Sequence, residues 1–155
     1  MDWILNTAVF LFFFLFMEFV AWFTHKYVMH GFLWILHKDH HLRDGRKFEW
    51  NDLFALIFAI PSMLLIYFGA KNGFTIWFYA GMGIAAYGLA YFLFHDVLVH
   101  RRMKLFENTR SKFIRAVYSA HIDHHTGKKN YGFLFMFNPK YHDQKNQYDL
   151  YSKKY

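Results

Sequence analysis

MEFVAWFTHKYVMHGFLWILHKDHH, residues 17–41, decides how this chain is read. It opens on the end of an apolar run and continues into five histidines: His25, His30, His37, His40 and His41. The run itself, 3–24 (WILNTAVFLFFFLFMEFVAWFT), carries one charged side chain, Glu18. At ~1.5 Å per residue it reaches ~33 Å, enough to cross the hydrocarbon core of a bilayer. It lacks a basic leading region and ends in bulky aromatics, so it reads as a retained span and not a cleaved signal peptide. A span that runs directly into clustered imidazoles places metal-binding side chains at a membrane surface, because neutral imidazole is the commonest nitrogen ligand for iron, zinc and copper.

Outward from that stretch the pattern repeats. Residues 53–70 (LFALIFAIPSMLLIYFGA) and 74–94 (FTIWFYAGMGIAAYGLAYFLF) are two further apolar runs, joined by the turn-forming triplet Lys71, Asn72 and Gly73. They form a helical hairpin, and Gly81, Gly83, Ala85, Ala86, Gly88 and Ala90 give its second arm a small-residue surface for close helix contact. All but Lys71 of the 18 Lys and Arg residues fall in 25–52 or 95–155. By the positive-inside rule that side is cytoplasmic, with the N-terminus outside. All 11 histidines lie on the same side. The expected architecture is an all-α integral membrane protein of one domain, 1–155. About three to four transmembrane helices carry a histidine-rich cytoplasmic helical cap built from 25–52 and 95–137, followed by a tail, 138–155.

Composition narrows the chemistry. Of 155 residues 55% are hydrophobic and 24% aromatic, more than a soluble domain of this size carries. There is no cysteine, so disulfides, thiolate metal sites and iron–sulfur ligation by the chain are excluded. The net charge of +7 flanks the apolar runs and is not interleaved with aromatics in a polar domain, which argues against nucleic acid.

Ten histidines fall in four clusters: His25/His30, His37/His40/His41, His95/His100 and His121/His124/His125. The two triplets stand at i, i+3, i+4 and occupy an arc of about 100° on a helix, so each can close on one metal site. The two pairs stand at i, i+5, about 140° apart on an ideal helix. They converge only if the helix frays, tightens or carries a π-bulge. His142 is isolated and reads as a surface residue. Asp39, Asp96 and Asp123 adjoin the clusters and are candidates to orient ligand imidazoles, or else ordinary surface acids. Glu18, an acid within a span, calls for a partner on a neighbouring helix, and Tyr87 or Tyr91 can donate to it. An all-nitrogen, open ligand set of this size suits two non-haem iron ions and O₂, although zinc also binds imidazole sites.

The stretches MEFVAWFTHKYVMHGFLWILHKDHH (17–41), FEWNDLFALIFA (48–59), AYGLAYFLFHDVLVHRR (86–102) and HIDHH (121–125) resemble those of the bacterial carotenoid β-ring hydroxylases. These belong to the fatty acid hydroxylase and sterol desaturase superfamily of membrane di-iron enzymes. The resemblance runs from about residue 2 to about residue 137 and extends to Asn51, Asp52, Tyr87 and Gly88. It implies that His25, His30, His37, His40, His41, His95, His100, His121, His124 and His125 ligate two irons. It also implies an O₂-dependent monooxygenase acting at C3 of the β-ionone rings of β-carotene, giving cryptoxanthin and then zeaxanthin, in a bacterial inner membrane. A fatty acid or sterol hydroxylase or desaturase of the same superfamily is the nearest alternative. A membrane metal transporter is a remote one, because only Glu18 is charged within a span. The chain carries no flavin, haem or iron–sulfur signature, so two electrons per turnover come from a partner. Ferredoxin or a similar donor fits the basic face formed by Arg101, Arg102, Lys104, Arg110, Lys112, Arg115, Lys128 and Lys129, although the positive-inside distribution and attraction to anionic lipid account for the same charge. The aromatic run YGFLFMF (131–137) is a candidate pocket wall or a short buried strand or loop.

Overall fold

The computed structural model describes residues 3–42, 48–103 and 110–148. Arg43, Arg46 and Lys47 of the charge argument, Lys104 of the basic face and the tail residues 149–155 lie outside them. Among the described residues five α-helices carry the architecture: α1 (Trp3–Phe23), α2 (Trp34–Leu42), α3 (Leu53–Lys71), α4 (Ile76–Tyr91) and α5 (Lys112–His125). The described residues include no strand, and YGFLFMF is a loop.

Among the described residues three helical segments are long and apolar enough to cross a membrane, Trp3–Phe32, Trp50–Lys71 and Ile76–Val99. They contain the spans expected at 3–24 and 53–70 and overlap the one expected at 74–94, which begins at Ile76 because Phe74 and Thr75 belong to the turn. The first and third run on because both continue from α-helix into π-helix, over Thr24–Phe32 and Phe92–Val99. The widened turn is visible in the bonds from Leu33 N–H to Val28 O (3.0 Å) and from His100 N–H to His95 O (2.9 Å), each five residues back. The first of these stretches is broken at Gly31, where φ −102° and ψ −124° turn the chain into α2.

Helix α4 is the middle member of the bundle, packed against α1 on one side and α3 on the other. Its glycines explain how. A Cβ at Gly83 would lie 2.5 Å from the Phe10 carbonyl of α1, and one at Gly81 would lie 2.8 Å from the Ser62 carbonyl of α3. Backbones approach this closely only where no side chain intervenes, the usual device of helix contact in lipid. Ser62 Oγ also donates to Gly81 O across the same contact (2.8 Å). The α3–α4 turn closes through Gly73 at φ +84°.

The cap sits where α1 and α4 run on into the histidine-bearing π-helical stretches and where α3 begins. Its central element is α5, capped by Ser111, whose Oγ accepts from Ile114 N–H (3.4 Å), and buried from Ala116 to His124. Behind α5 the 3₁₀ turns Pro139–His142 and Gln144–Asn146 pack down through Tyr141, which is buried against Ala116, Val117 and Ala120.

Candidate metal centre

The π-helical stretches give the i, i+5 pairs a common direction. His25 and His30 have ring centroids 5.0 Å apart, and His95 and His100 are 4.6 Å apart. The triplets on α2 and α5 face them. Two groups result: His25, His30, His37, His41 and His124, and His40, His95, His100 and His121, with one nitrogen from each member within 4.8 Å of the others in its group. His125 falls outside both on that measure, but its Nε2 lies 2.8 Å from His121 Nε2 and its ring stacks on His41 at 4.4 Å, so it sits where the groups adjoin. His142 takes no part; it is exposed and stacks on Phe137.

Nitrogens bound to one ion at ~2.0–2.1 Å stand about 2.8 to 3.4 Å apart at octahedral to tetrahedral angles. The Nε2 atoms of His30 and His124 are 3.0 Å apart, those of His37 and His41 3.1 Å, and those of His41 and His124 3.2 Å. In the other group His100 and His121 approach to 3.1 Å. The groups outside the rings set which nitrogen carries the proton. Nδ1–H of His25 donates to the Tyr131 carbonyl (3.0 Å), that of His37 to Asn51 Oδ1 (2.6 Å), that of His40 to Glu49 Oε2 (2.8 Å) and that of His95 to Asp96 Oδ2 (3.3 Å). Each bond leaves the Nε2 lone pair aimed inward, the tautomer a metal requires. His40 Nε2 is buried with no hydrogen-bond partner among the described residues. Such an orphaned acceptor fits a metal ligand and costs free energy otherwise.

Burial and the mutual repulsion of neighbouring imidazoles reinforce this. Burial first, then His41 and the other rings, holds His124 down at about 2. Burial also takes His37 to about 3, although its bond to Asn51 works the other way. His40 and His121 are pushed well below the ordinary histidine range by the same two causes. All four are therefore neutral at physiological pH and need not shed a proton to bind metal.

The acids divide by role. Asp96 orients His95. Asp39 accepts from the backbone N–H of His40 (2.9 Å) and of Trp50 (2.7 Å), tying α2 to the short 3₁₀ turn Trp50–Asp52. Asp123 lies within the α5 triplet, yet its oxygens take up Lys128 Nζ (2.8 Å), Tyr141 OH (2.7 Å) and Tyr148 OH (2.6 Å), fastening the following segment to α5. Burial raises its carboxyl, but these three donors outweigh that and hold it below its usual value. Glu18 accepts from Tyr87 OH (2.9 Å) and also from the backbone N–H groups of Phe133, Leu134, Phe135 and Met136 at 3.0–3.1 Å. That loop delivers the Tyr131 carbonyl to His25 and stacks Phe133 on the His25 ring at 4.8 Å. Tyr91, the other candidate partner of Glu18, stacks on His95 at 4.6 Å.

Glu49, Asn51 as a histidine partner, and the Tyr131 carbonyl escaped the sequence reading. A carbonyl oxygen leaves no mark in a sequence; Glu49 and Asn51 lie in the stretch that carries the family resemblance, just before an apolar span, but nothing in it pairs them with a particular histidine. Arg102, grouped above with the donor-facing basic residues, turns inward instead and pairs with Glu49, Asp52 and Asp96.

A cavity of about 370 Å³ lies directly beneath the histidines between α1, α3 and α4. On α3 its lining runs from Phe54 to Ile66, ~18 Å along the helix. It is walled by Met17, Ala21, Phe58, Ala59, Ile84 and Gly88, and its polar end carries Asn51 and Asp96, the partners of His37 and His95, beside Tyr91 and Phe133. This is an elongated apolar site of ordinary ligand-binding size whose polar end carries hydrogen-bond partners of the two histidine groups.

The family model for fatty acid hydroxylase matches residues 10–143. A beta-carotene hydroxylase of Pantoea ananas is 40% identical over 140 residues, covering 87% of this chain and 79% of that protein. One of Pseudescherichia vulneris is 39% identical over 128 residues, covering 79% and 72%. The chloroplastic beta-carotene 3-hydroxylase 2 of Arabidopsis thaliana is 39% identical over 115 residues, 72% of this chain and 38% of the plant protein. No solved structure matches the chain.

Proposed function

The chain belongs to the fatty acid hydroxylase family, and from that premise we propose that it is an oxygen-dependent β-carotene 3-hydroxylase. The reaction inserts one oxygen atom of O₂ into the C3–H bond of a β-ionone ring and reduces the other to water, with two electrons and two protons supplied from outside. Repeated at the second ring it takes β-carotene through cryptoxanthin to zeaxanthin. The single observation that carries this reading is the apolar, ~18 Å cavity whose polar end abuts the orienting partners of both histidine groups. A long apolar molecule with a ring at its tip fits such a site, with its tip held against the aromatic faces of Tyr91 and Phe133.

The ten clustered histidines would hold two iron ions, five through the group around His124 and four through the group around His121, with His125 between them. When bound, the irons supply O₂ reduction and attack on an unactivated C–H bond. The protein's part is to hold His25, His37, His40 and His95 as their Nδ1–H tautomers, through Tyr131, Asn51, Glu49 and Asp96, and to keep water from the reacting carbon with Met17, Phe58 and Ile84. Its substrate reaches the cavity from the lipid. Electrons arrive from a ferredoxin or similar donor at the cytoplasmic basic face, in a bacterial inner membrane with the N-terminus outside, as the charge distribution supports.

The test is chromatography of pigments from β-carotene-producing cells that express the chain, with His124→Ala beside it. Cryptoxanthin and zeaxanthin form only with the intact chain. Unchanged β-carotene alongside hydroxylated acyl chains or sterols, with iron-loaded protein in the membrane and a donor present, would move the substrate to those lipids.

A further inference from the structure

Arg102 collects three carboxylates that come from two distant parts of the chain. Its Nη1 lies 3.1 Å from Asp52 Oδ2, its Nη2 2.9 Å from Asp52 Oδ1 and 3.0 Å from Glu49 Oε2, and its Nε 3.2 Å from Asp96 Oδ1. Two of these acids are the ones that hold histidines: the same Glu49 Oε2 accepts from His40 Nδ1 at 2.8 Å, and the other oxygen of Asp96 accepts from His95 Nδ1 at 3.3 Å. Both histidines belong to the group His40, His95, His100 and His121, and neither belongs to the group around His124. Asp52 completes the frame, since its Oδ2 also accepts from the backbone N–H of Glu49 (3.1 Å).

The backbone is bent to bring this about. Arg101 has φ +52°, in the left-handed region that non-glycine residues rarely adopt. Arg102 N–H then bonds back to Asp96 O at 3.0 Å, reversing the chain just after the π-helical end of the third span. Strain of this kind persists where the surroundings over-determine it. Here it directs the Arg102 side chain over the carboxylates and away from the open cytoplasmic face.

We propose that Arg102 is the positioning residue of one metal position only: by clamping Glu49 and Asp96 it fixes the rings of His40 and His95, and metal held by His40, His95, His100 and His121 depends on it while the other group does not. Only a planar, forked cation makes these contacts together, since an ammonium offers a single point charge. The matching element of the other group is Asn51, on His37. This rests on the reading that both histidine groups bind metal.

The experiment titrates Zn²⁺ into the metal-stripped full chain in lipid nanodiscs against a chromogenic chelator, for native protein, Arg102→Ala, Arg102→Lys and Asn51→Ala. Native chain binds two ions. Arg102→Ala weakens one by roughly 10- to 100-fold, the usual effect of removing an outer partner of a ligand, and leaves the other unchanged. Arg102→Lys falls close to Arg102→Ala, and Asn51→Ala weakens the other ion instead, so that the Asn51→Ala/Arg102→Ala double variant weakens both. Equal weakening of both ions by Arg102→Ala, or no weakening of either, overturns the assignment. No carotenoid enters this measurement: native chain that binds two ions but leaves β-carotene unaltered removes the substrate reading alone, whereas native chain that binds no Zn²⁺ removes the proposal.

Discussion

His30 Nε2 lies 3.0 Å from His124 Nε2, across 94 residues of sequence, and so joins the end of the first span to the end of α5. His124 Nε2 also stands 3.2 Å from His41 Nε2, from α2. Three chain segments therefore converge on one nitrogen, which no single proton can satisfy. His124→Ala is expected to abolish tight metal binding by that group and hydroxylation together. His142→Ala, at an exposed ring stacked on Phe137, is expected to leave both at the native level. Metal content per chain and pigment conversion measure the two effects, and retained conversion in His124→Ala would remove it from the ligand set.

Glu18 holds the loop 133–136 by four backbone N–H groups and holds α4 by Tyr87. Loss of the Tyr87 hydroxyl removes one of five donors, whereas Glu18→Gln removes the negative charge that four backbone N–H groups share and puts an NH₂, which cannot accept, against the Leu134 N–H. Buried unsatisfied donors cost about 1–3 kcal/mol each. Thermal unfolding in detergent should therefore show a smaller loss for Tyr87→Phe than for Glu18→Gln. Glu18→Gln should also reduce metal binding, because the same loop carries the Tyr131 carbonyl to His25. Equal losses from the two variants would mean that the loop does not depend on the carboxylate.

The spans, the hairpin turn at Gly73 and the gathering of ten histidines were legible in the sequence because hydropathy and histidine spacing are local signals. The i, i+5 spacing of His25/His30 and His95/His100 even stated its own condition, and π-helix stands at both places. What was not legible depends on contacts between distant segments. Asp123 stands at the centre of a histidine triplet, where spacing suggests a ring partner, but Lys128, Tyr141 and Tyr148 approach it from the following segment. Arg102 looks like one more basic residue after the third span until the left-handed turn at Arg101 is seen. Glu18 asked for one donor and received five, four of them backbone groups without any sequence signature.

Asp123 gives a prediction that separates fastening from ligation. Asp123→Ala removes the acceptor of the Tyr141 and Tyr148 hydroxyls, leaving the buried Tyr141 hydroxyl unpaired. Protease cleavage between 139 and 148 should accelerate at least several-fold, while metal content stays near native because His121 and His124 keep their other contacts. Loss of metal without faster cleavage would instead make Asp123 an orienting partner of the histidines.

The last prediction turns on two glycines of α4 that sequence alone does not distinguish. At Gly83 a Cβ would meet the Phe10 carbonyl at 2.5 Å and the Phe13 Cβ at 3.1 Å, so Gly83→Ala must push α1 away from α4. Overpacking of that kind costs about 1–3 kcal/mol, and a lowered unfolding temperature is expected. At Gly88, five residues further along, a Cβ would meet nothing within 4 Å, and the position lines the cavity instead of a helix contact. Gly88→Ala should therefore fold at least as well as the native chain, since alanine favours helix by up to ~1 kcal/mol over glycine. Gly88→Leu should fold normally and keep its metal but occupy the space a β-ring needs, cutting β-carotene conversion ~10-fold or more, the range in which a few misplaced carbons alter selection by an apolar pocket. If Gly88→Leu converts β-carotene as the native chain does, the cavity between α1, α3 and α4 is not where the ring is held.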